Sequence, residues 1–206
     1  MFDAKLRPYI DPPLNAAGQW IAGRGISANA VSFAGLAVGL CAAAAITSQA
    51  FGLAIALVLL GRLLDGMDGA VARATQKTAF GGYLDIVGDF VFYIAVPVAF
   101  AFADPANLLP ALILTASFAL TGVSFLAFAS IAAEQNLQTS AHGEKSFFYS
   151  TGLAEGAETI GAFLLMCLFP QHFPIIAWAY AALCLLTVAQ RSWLAYRHFQ
   201  LNGDRA

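Results

Sequence analysis

No charged residue falls between Arg24 and Arg62, between Asp104 and Glu134, or between Glu158 and Arg191. Each gap is long enough to hold the ~20 apolar residues that cross a bilayer core. A soluble domain of this size has no interior large enough for so much apolar surface. Of the 206 residues, 60% are hydrophobic and 11% are charged, against ~25% charged in an ordinary soluble domain, and the mean hydropathy is +0.73. The chain is therefore expected to be an all-α, polytopic membrane bundle, and a single domain over 1–206, since no repeat or low-complexity linker divides it.

The apolar runs place six spans at 28–48, 51–73, 80–103, 107–132, 148–169 and 174–195. Thr47-Ser48-Gln49, Asp104-Pro105 and Pro170-Gln171-His172 mark the breaks on one side. With an even number of spans, Lys5, Arg7, Arg24, Arg73, Lys77, Lys145, Arg191, Arg197 and Arg205 all fall on the other side. By the positive-inside rule that face is cytoplasmic, and both termini lie there. Residues 1–25 mix charges with Leu6, Tyr9, Ile10, Leu14, Trp20 and Ile21. They read as an amphipathic surface segment rather than a cleavable leader, with Pro12 and Pro13 breaking it into short helical pieces.

Cys41, Cys167 and Cys184 lie scattered in apolar runs, which suits packing and suggests neither a disulfide framework nor a zinc cluster. A net charge of −2 without any basic run gives no reason to expect a nucleic-acid partner.

Against this apolar background stands Asp65-Gly66-Met67-Asp68-Gly69-Ala70-Val71-Ala72-Arg73, followed by Gly81, Asp85 and Asp89. Charge is costly near lipid, so carboxylates within spans are functional candidates. Asp65, Asp68, Gly69, Ala72 and Arg73 share one face of a helix, and Gly81, Asp85, Gly88 and Asp89 share one face of the next. The short connection lets the two stripes meet. Four facing carboxylates repel unless neutralised, and a hard divalent cation with oxygen ligands relieves the repulsion. The small residues leave room for a bulky ligand, and Arg73 presents a fork of donors suited to phosphate oxygens. A structural ion-pair network, or a proton or cation relay in a coupled transporter, would also explain buried Asp. The relay does not explain small residues lined up beside an arginine.

The stretch from Asp65 to Asp89 resembles the CDP-alcohol phosphotransferase motif: two Asp three apart, Gly, Ala-Arg, then Gly and two Asp four apart. Asp65, Asp68, Gly69, Ala72, Arg73, Gly81, Asp85 and Asp89 match it. The link between Arg73 and Gly81 is one residue shorter than the usual pattern, which predicts a tighter turn near Lys77. The resemblance implies transfer of a phosphatidyl-type group from a CDP-linked lipid to an alcohol, with release of CMP, in a homodimeric membrane enzyme. It implies that Asp65, Asp68, Asp85 and Asp89 hold two divalent ions, Mg2+ or Mn2+, and that Asp89 is the general base. Asp65, Asp68, Gly69, Ala72, Arg73 and Gly81 would bind the CDP portion at the cytoplasmic face.

Arg62, one turn before Asp65, is expected to pair with a carboxylate, and Lys77 to be a solvated loop charge. A second polar cluster comprises His142, Glu144, Lys145, Glu155 and Glu158, with Phe147, Phe148 and Tyr149 at the interface. The acidic balance here favours a neutral polyol or an amino alcohol as acceptor, held by Glu155 and Glu158. A phosphorylated acceptor would need Lys145 and Arg191 instead.

Overall fold

A computed structural model of the chain describes residues 2–134 and 152–199, apart from the side chains of 2–10, Glu134 and His198. The described residues form helices with no strand among them: α1 (Phe2–Ala22), α2 (Ala28–Thr47), α3 (Phe51–Ala74), α4 (Ala79–Ala103), α5 (Leu108–Glu134), α6 (Gly156–Leu168) and α7 (Phe173–Phe199). Single 3-10 turns at Pro105–Asn107 and Pro170–His172 lead into α5 and α7.

Local chemistry sets several of the boundaries. Ser27 caps α2 by accepting from the amide of Ala30, and Thr78 caps α4 by accepting from the amide of Gly81 at 3.0 Å. Pro105 and Pro170 begin their turns at a position where a missing N–H costs nothing. The shortened link after Arg73 is thus a compact turn over residues 75–78, closed by the Thr78 cap, and Lys77 in it is exposed as expected.

One expectation needs correction. Residues 2–22 form one helix that runs through Pro12 and Pro13. Proline keeps a helical φ, and α1 leans on α3 immediately afterwards: a Cβ on Gly66 would lie 3.0 Å from Leu14, and one on Gly18 would lie 2.7 Å from the Ala70 backbone. Packing thus carries the helix across the missing N–H groups. Of the six expected spans, four are matched by helices of membrane-crossing length and apolarity. Among the described residues these are Ala28–Thr47, Ala79–Ala103, Pro105–Ala133 and Pro170–Arg197. Helix α3 equals them in length at 24 residues but carries Arg62, Asp65, Asp68 and Arg73. Helix α6 has only 13 residues, roughly 20 Å of rise against a ~30 Å hydrocarbon core. Its start at Gly156 comes later than the expected 148, and residues 148–151 lie outside the described ones.

Helix α2 packs on α3 and α4, α5 packs on α4 and α7, and α6 packs on α3 and α7. Small residues allow the closest approach. A Cβ on Gly35 would meet Leu64 at 3.4 Å, and one on Gly39 would meet the Phe92 ring at 2.9 Å. Between helices in lipid such contacts stand in for the missing hydrophobic driving force. The main core joins Ile46, Ala54, Val96, Phe100, Leu114, Phe118, Phe163, Met166, Phe173 and Cys184, with Phe100 and Phe173 stacked at 4.3 Å. Cys167 and Cys184 are buried as packing residues, whereas Cys41 is exposed on the outer face of α2.

Candidate active site

The polar residues of α3 and α4 meet where α2 crosses both helices. Gly61, Arg62, Asp65 and Asp68 of α3 and Leu84, Asp85, Gly88, Asp89 and Tyr93 of α4 line one cavity, with Ser32, Gly35 and Gly39 of α2 and Ile160 of α6. The two stripes therefore face each other. Oxygens of Asp65, Asp68 and Asp85 all lie within 4.8 Å of one another. Asp68 is buried, Asp65 half-buried and Asp85 exposed toward the opening.

Three converging carboxylates are an all-oxygen donor set, which suits a hard divalent cation such as Mg2+ or Mn2+. The residues present fit such an ion. Asp89 lines the same cavity but stands outside that tight group, and its Oδ2 accepts a hydrogen bond from the Tyr93 hydroxyl at 3.2 Å.

Two cationic groups sit at different levels. Arg62 forms the expected ion pair with Asp65, one turn along α3. It also reaches toward α6, since a Cβ on Gly156 would lie 3.6 Å from Arg62 Nη2 and 3.7 Å from the Tyr93 hydroxyl. Arg73 is exposed near the end of α3, and its Nε and Nη2 donate to Asn15 Oδ1 of α1 at 3.1 and 2.9 Å. A Cβ on Gly69 would come within 3.3 Å of Arg73 Nη1, so this glycine makes room for the guanidinium. Gly81 lies beside Thr78 and Asn29, where a Cβ would be 3.0 and 3.3 Å from their side-chain oxygens. Gly69, Ala72, Arg73 and Gly81 do not line the carboxylate cavity. They belong to the stretch between it and the turn at 75–78.

Sequence reasoning passed over several residues. Ser32 Oγ donates to Asp68 Oδ2 at 2.5 Å and so orients a carboxylate of the tight group. A hydroxyl in a charge-free span was its only signal. Tyr93 stands one helical turn after Asp89, a spacing the sequence displays. Asn15 carried no local signal, because only the docking of α1 brings it to Arg73.

The second cluster forms around the start of α6. Glu155 and Glu158 are half-buried, and Glu155 Oε1 accepts from the amide of Gly152 at 3.1 Å. Arg191 of α7 donates to the carbonyl of Thr121 at 3.1 Å. A Cβ on Gly152 would lie 3.3 Å from Arg191 Nη2 and 3.5 Å from Glu155 Cγ, so both border the same turn. Buried Thr187 pins that turn by accepting from the amides of Leu153 and Ala154 at 3.1 and 3.0 Å. Glu155, Glu158 and Arg191 do not line the carboxylate cavity, although Gly156 connects the two regions. His142, Glu144, Lys145, Phe147, Phe148 and Tyr149 lie outside the described residues.

Comparison with known proteins adds three findings. The family model described as CDP-alcohol phosphatidyltransferase matches residues 26–189. The Inner membrane protein YnjF of Escherichia coli (strain K12) is 42% identical over 197 residues, covering 95% of this chain and 96% of that protein. The Archaetidylinositol phosphate synthase of Pyrococcus horikoshii is 39% identical over 83 residues, covering 40% of this chain and 44% of that protein.

Proposed function

The chain belongs to the CDP-alcohol phosphatidyltransferase family, and from this premise we propose that it transfers a phosphatidyl group from CDP-diacylglycerol to an alcohol, releasing CMP. The observation that carries this reading is the convergence of Asp65, Asp68 and Asp85 in a cavity that also holds Asp89. That it is an integral membrane transferase follows from the family and the long apolar helices.

In this proposal Asp65, Asp68, Asp85 and Asp89 would hold two divalent cations. Bound there, the metal supplies positive charge for the pyrophosphate and its departing CMP. The residues of the chain do the rest. Ser32 keeps Asp68 turned toward the cavity. Arg62 offsets part of the negative charge. Arg73, steadied by Asn15 and given room by Gly69, clamps a donor phosphate oxygen. The small side chains of Ala72 and Gly81 leave space for the nucleotide. Asp89, outside the tight group, takes the proton of the acceptor hydroxyl as it attacks the phosphorus.

The acceptor approaches from the start of α6, where Glu155 and Glu158 accept from its hydroxyl or ammonium groups. The cytoplasmic face is the side that a water-soluble nucleotide can reach, so both termini and the site are assigned to it, with α1 at the interface. The working unit is proposed to be a homodimer.

The test uses purified protein in detergent with CDP-diacylglycerol and a panel of alcohols, following CMP and the lipid product. CMP release should stop with chelator and return with Mg2+ or Mn2+. Full turnover after exhaustive chelation would remove the metal from the proposal. Gradient-driven ion flux without CMP release from any alcohol would favour a coupled transporter instead.

A further inference from the structure

We propose that Tyr93 is a positioning residue for Asp89: its hydroxyl holds Oδ2 and leaves Oδ1 to face the acceptor. This inference rests on the reading of Asp89 as the group that receives the acceptor proton. A carboxylate on a helix can turn about two side-chain bonds, and efficient proton transfer needs one oxygen within hydrogen-bond reach of the hydroxyl. Tyr93 lies on the same face of α4, one turn further, with its hydroxyl 3.2 Å from Asp89 Oδ2.

The ring that carries this hydroxyl is immobilised from three helices. Tyr93 is only 9% exposed. Its ring contacts Phe90 and Phe92 of α4 at centroid distances of 5.9 and 6.2 Å, Phe118 of α5 at 5.8 Å, and Phe163 of α6 at 6.2 Å. The first residue of α6, Gly156, borders the hydroxyl, since a Cβ there would lie 3.7 Å from the phenol oxygen. The phenol proton is therefore delivered to a fixed place.

A purely packing role would be served better by phenylalanine, because burying a hydroxyl in an aromatic cluster is unfavourable unless it finds a partner. Asp89 is that partner. A phenol has a single proton to donate, and an ionised carboxylate offers only acceptors, so the direction of this bond is set. Oδ2 of Asp89 is engaged by Tyr93 and the residue lines the cavity, which assigns Oδ1 to the acceptor.

Tyr93→Phe removes one oxygen and keeps the ring. Turnover should fall on the order of 10-fold, part of the contribution of a positioned base, while the KM values for donor and acceptor stay within ~2-fold and Mn2+ binding and thermal stability are retained. Wild-type turnover would overturn the proposal. The decisive comparison repeats the substitution in an Asp89→Asn background. If Tyr93 acts through Asp89, the double variant should be no slower than Asp89→Asn alone, because coupled residues are not additive. A further ~10-fold loss in that background would mean that Tyr93 acts elsewhere, and would overturn the proposal while leaving Asp89 as the base. Near-normal turnover of Asp89→Asn itself would remove the base assignment, and this inference with it. Metal binding and melting of the Tyr93→Phe protein, measured separately, show whether a loss of turnover comes from a damaged fold.

Discussion

Gly18→Ala in α1 is the sharpest test of how the proposed donor clamp at Arg73 is built. In an ordinary helix this change stabilises by ~1 kcal/mol, because alanine is the better helix former. Here the new Cβ would lie 2.7 Å from both the carbonyl carbon and the Cβ of Ala70, and 3.0 Å from its oxygen. Carbon atoms pack at ~3.5–4.0 Å, so the helices must separate by roughly 1 Å. Ala70 cannot yield, since it is buried backbone two residues from Asp68. Helix α1 must retreat, and Asn15, one turn earlier, retreats with it. Its bonds to Arg73, now 2.9 and 3.1 Å, would stretch beyond hydrogen-bonding range. Overpacking costs ~1–3 kcal/mol, which more than offsets the propensity gain. Losing about 1 kcal/mol of support for Arg73 corresponds to a ~5-fold rise in donor KM, at 1.4 kcal/mol per decade. Initial-rate measurements of CMP release against CDP-diacylglycerol, with Asn15→Ala beside Gly18→Ala, would read it. Both variants should raise donor KM and leave acceptor KM alone. A Gly18→Ala protein with higher thermal stability and wild-type donor KM would refute the close docking of α1 and its support of Arg73.

Two further outcomes follow from the site. Ser32→Ala removes the 2.5 Å bond to Asp68 and should weaken Mn2+ binding by ~10-fold or more, the range seen for groups that orient metal ligands. Calorimetric titration with an unchanged affinity would count against Asp68 as a ligand. Glu155→Gln and Glu158→Gln should each raise acceptor KM several-fold, with donor KM nearly constant, if a carboxylate receives the acceptor's hydroxyl or ammonium. A preference for a phosphorylated acceptor that neither substitution disturbs would redirect attention to Lys145 and Arg191.

Where sequence reading failed, it failed through contacts rather than patterns. Pro12 and Pro13 are local signals for a break, yet α1 continues because Leu14 and Gly18 rest on α3, and nothing near the prolines announces that partner. Cys41 was expected to pack because its neighbours are apolar. In a membrane chain, apolarity does not distinguish a core face from a lipid face, and Cys41 is exposed. Apolar length matched four of the six expected spans among the described residues, and the other two rest on α3 and α6. Helix α3 has the length but carries the charges of the site, and α6 is cut short by the turn pinned by Thr187.

The sequence by itself determined the all-helical membrane architecture and the pairing of the two Asp stripes. Both follow from one-dimensional regularities: charge-free runs of bilayer length and a helical period that puts Asp65 with Asp68 and Asp85 with Asp89. Tertiary structure alone decided which side chains orient those carboxylates. Ser32 reaches Asp68 from another helix, Asn15 reaches Arg73 across 58 positions of chain, and Tyr93, though in register with Asp89, is held by rings from α5 and α6. Hydrogen bonds and ring contacts are short-ranged and directional, so they appear only once packing has brought distant segments within a few ångströms.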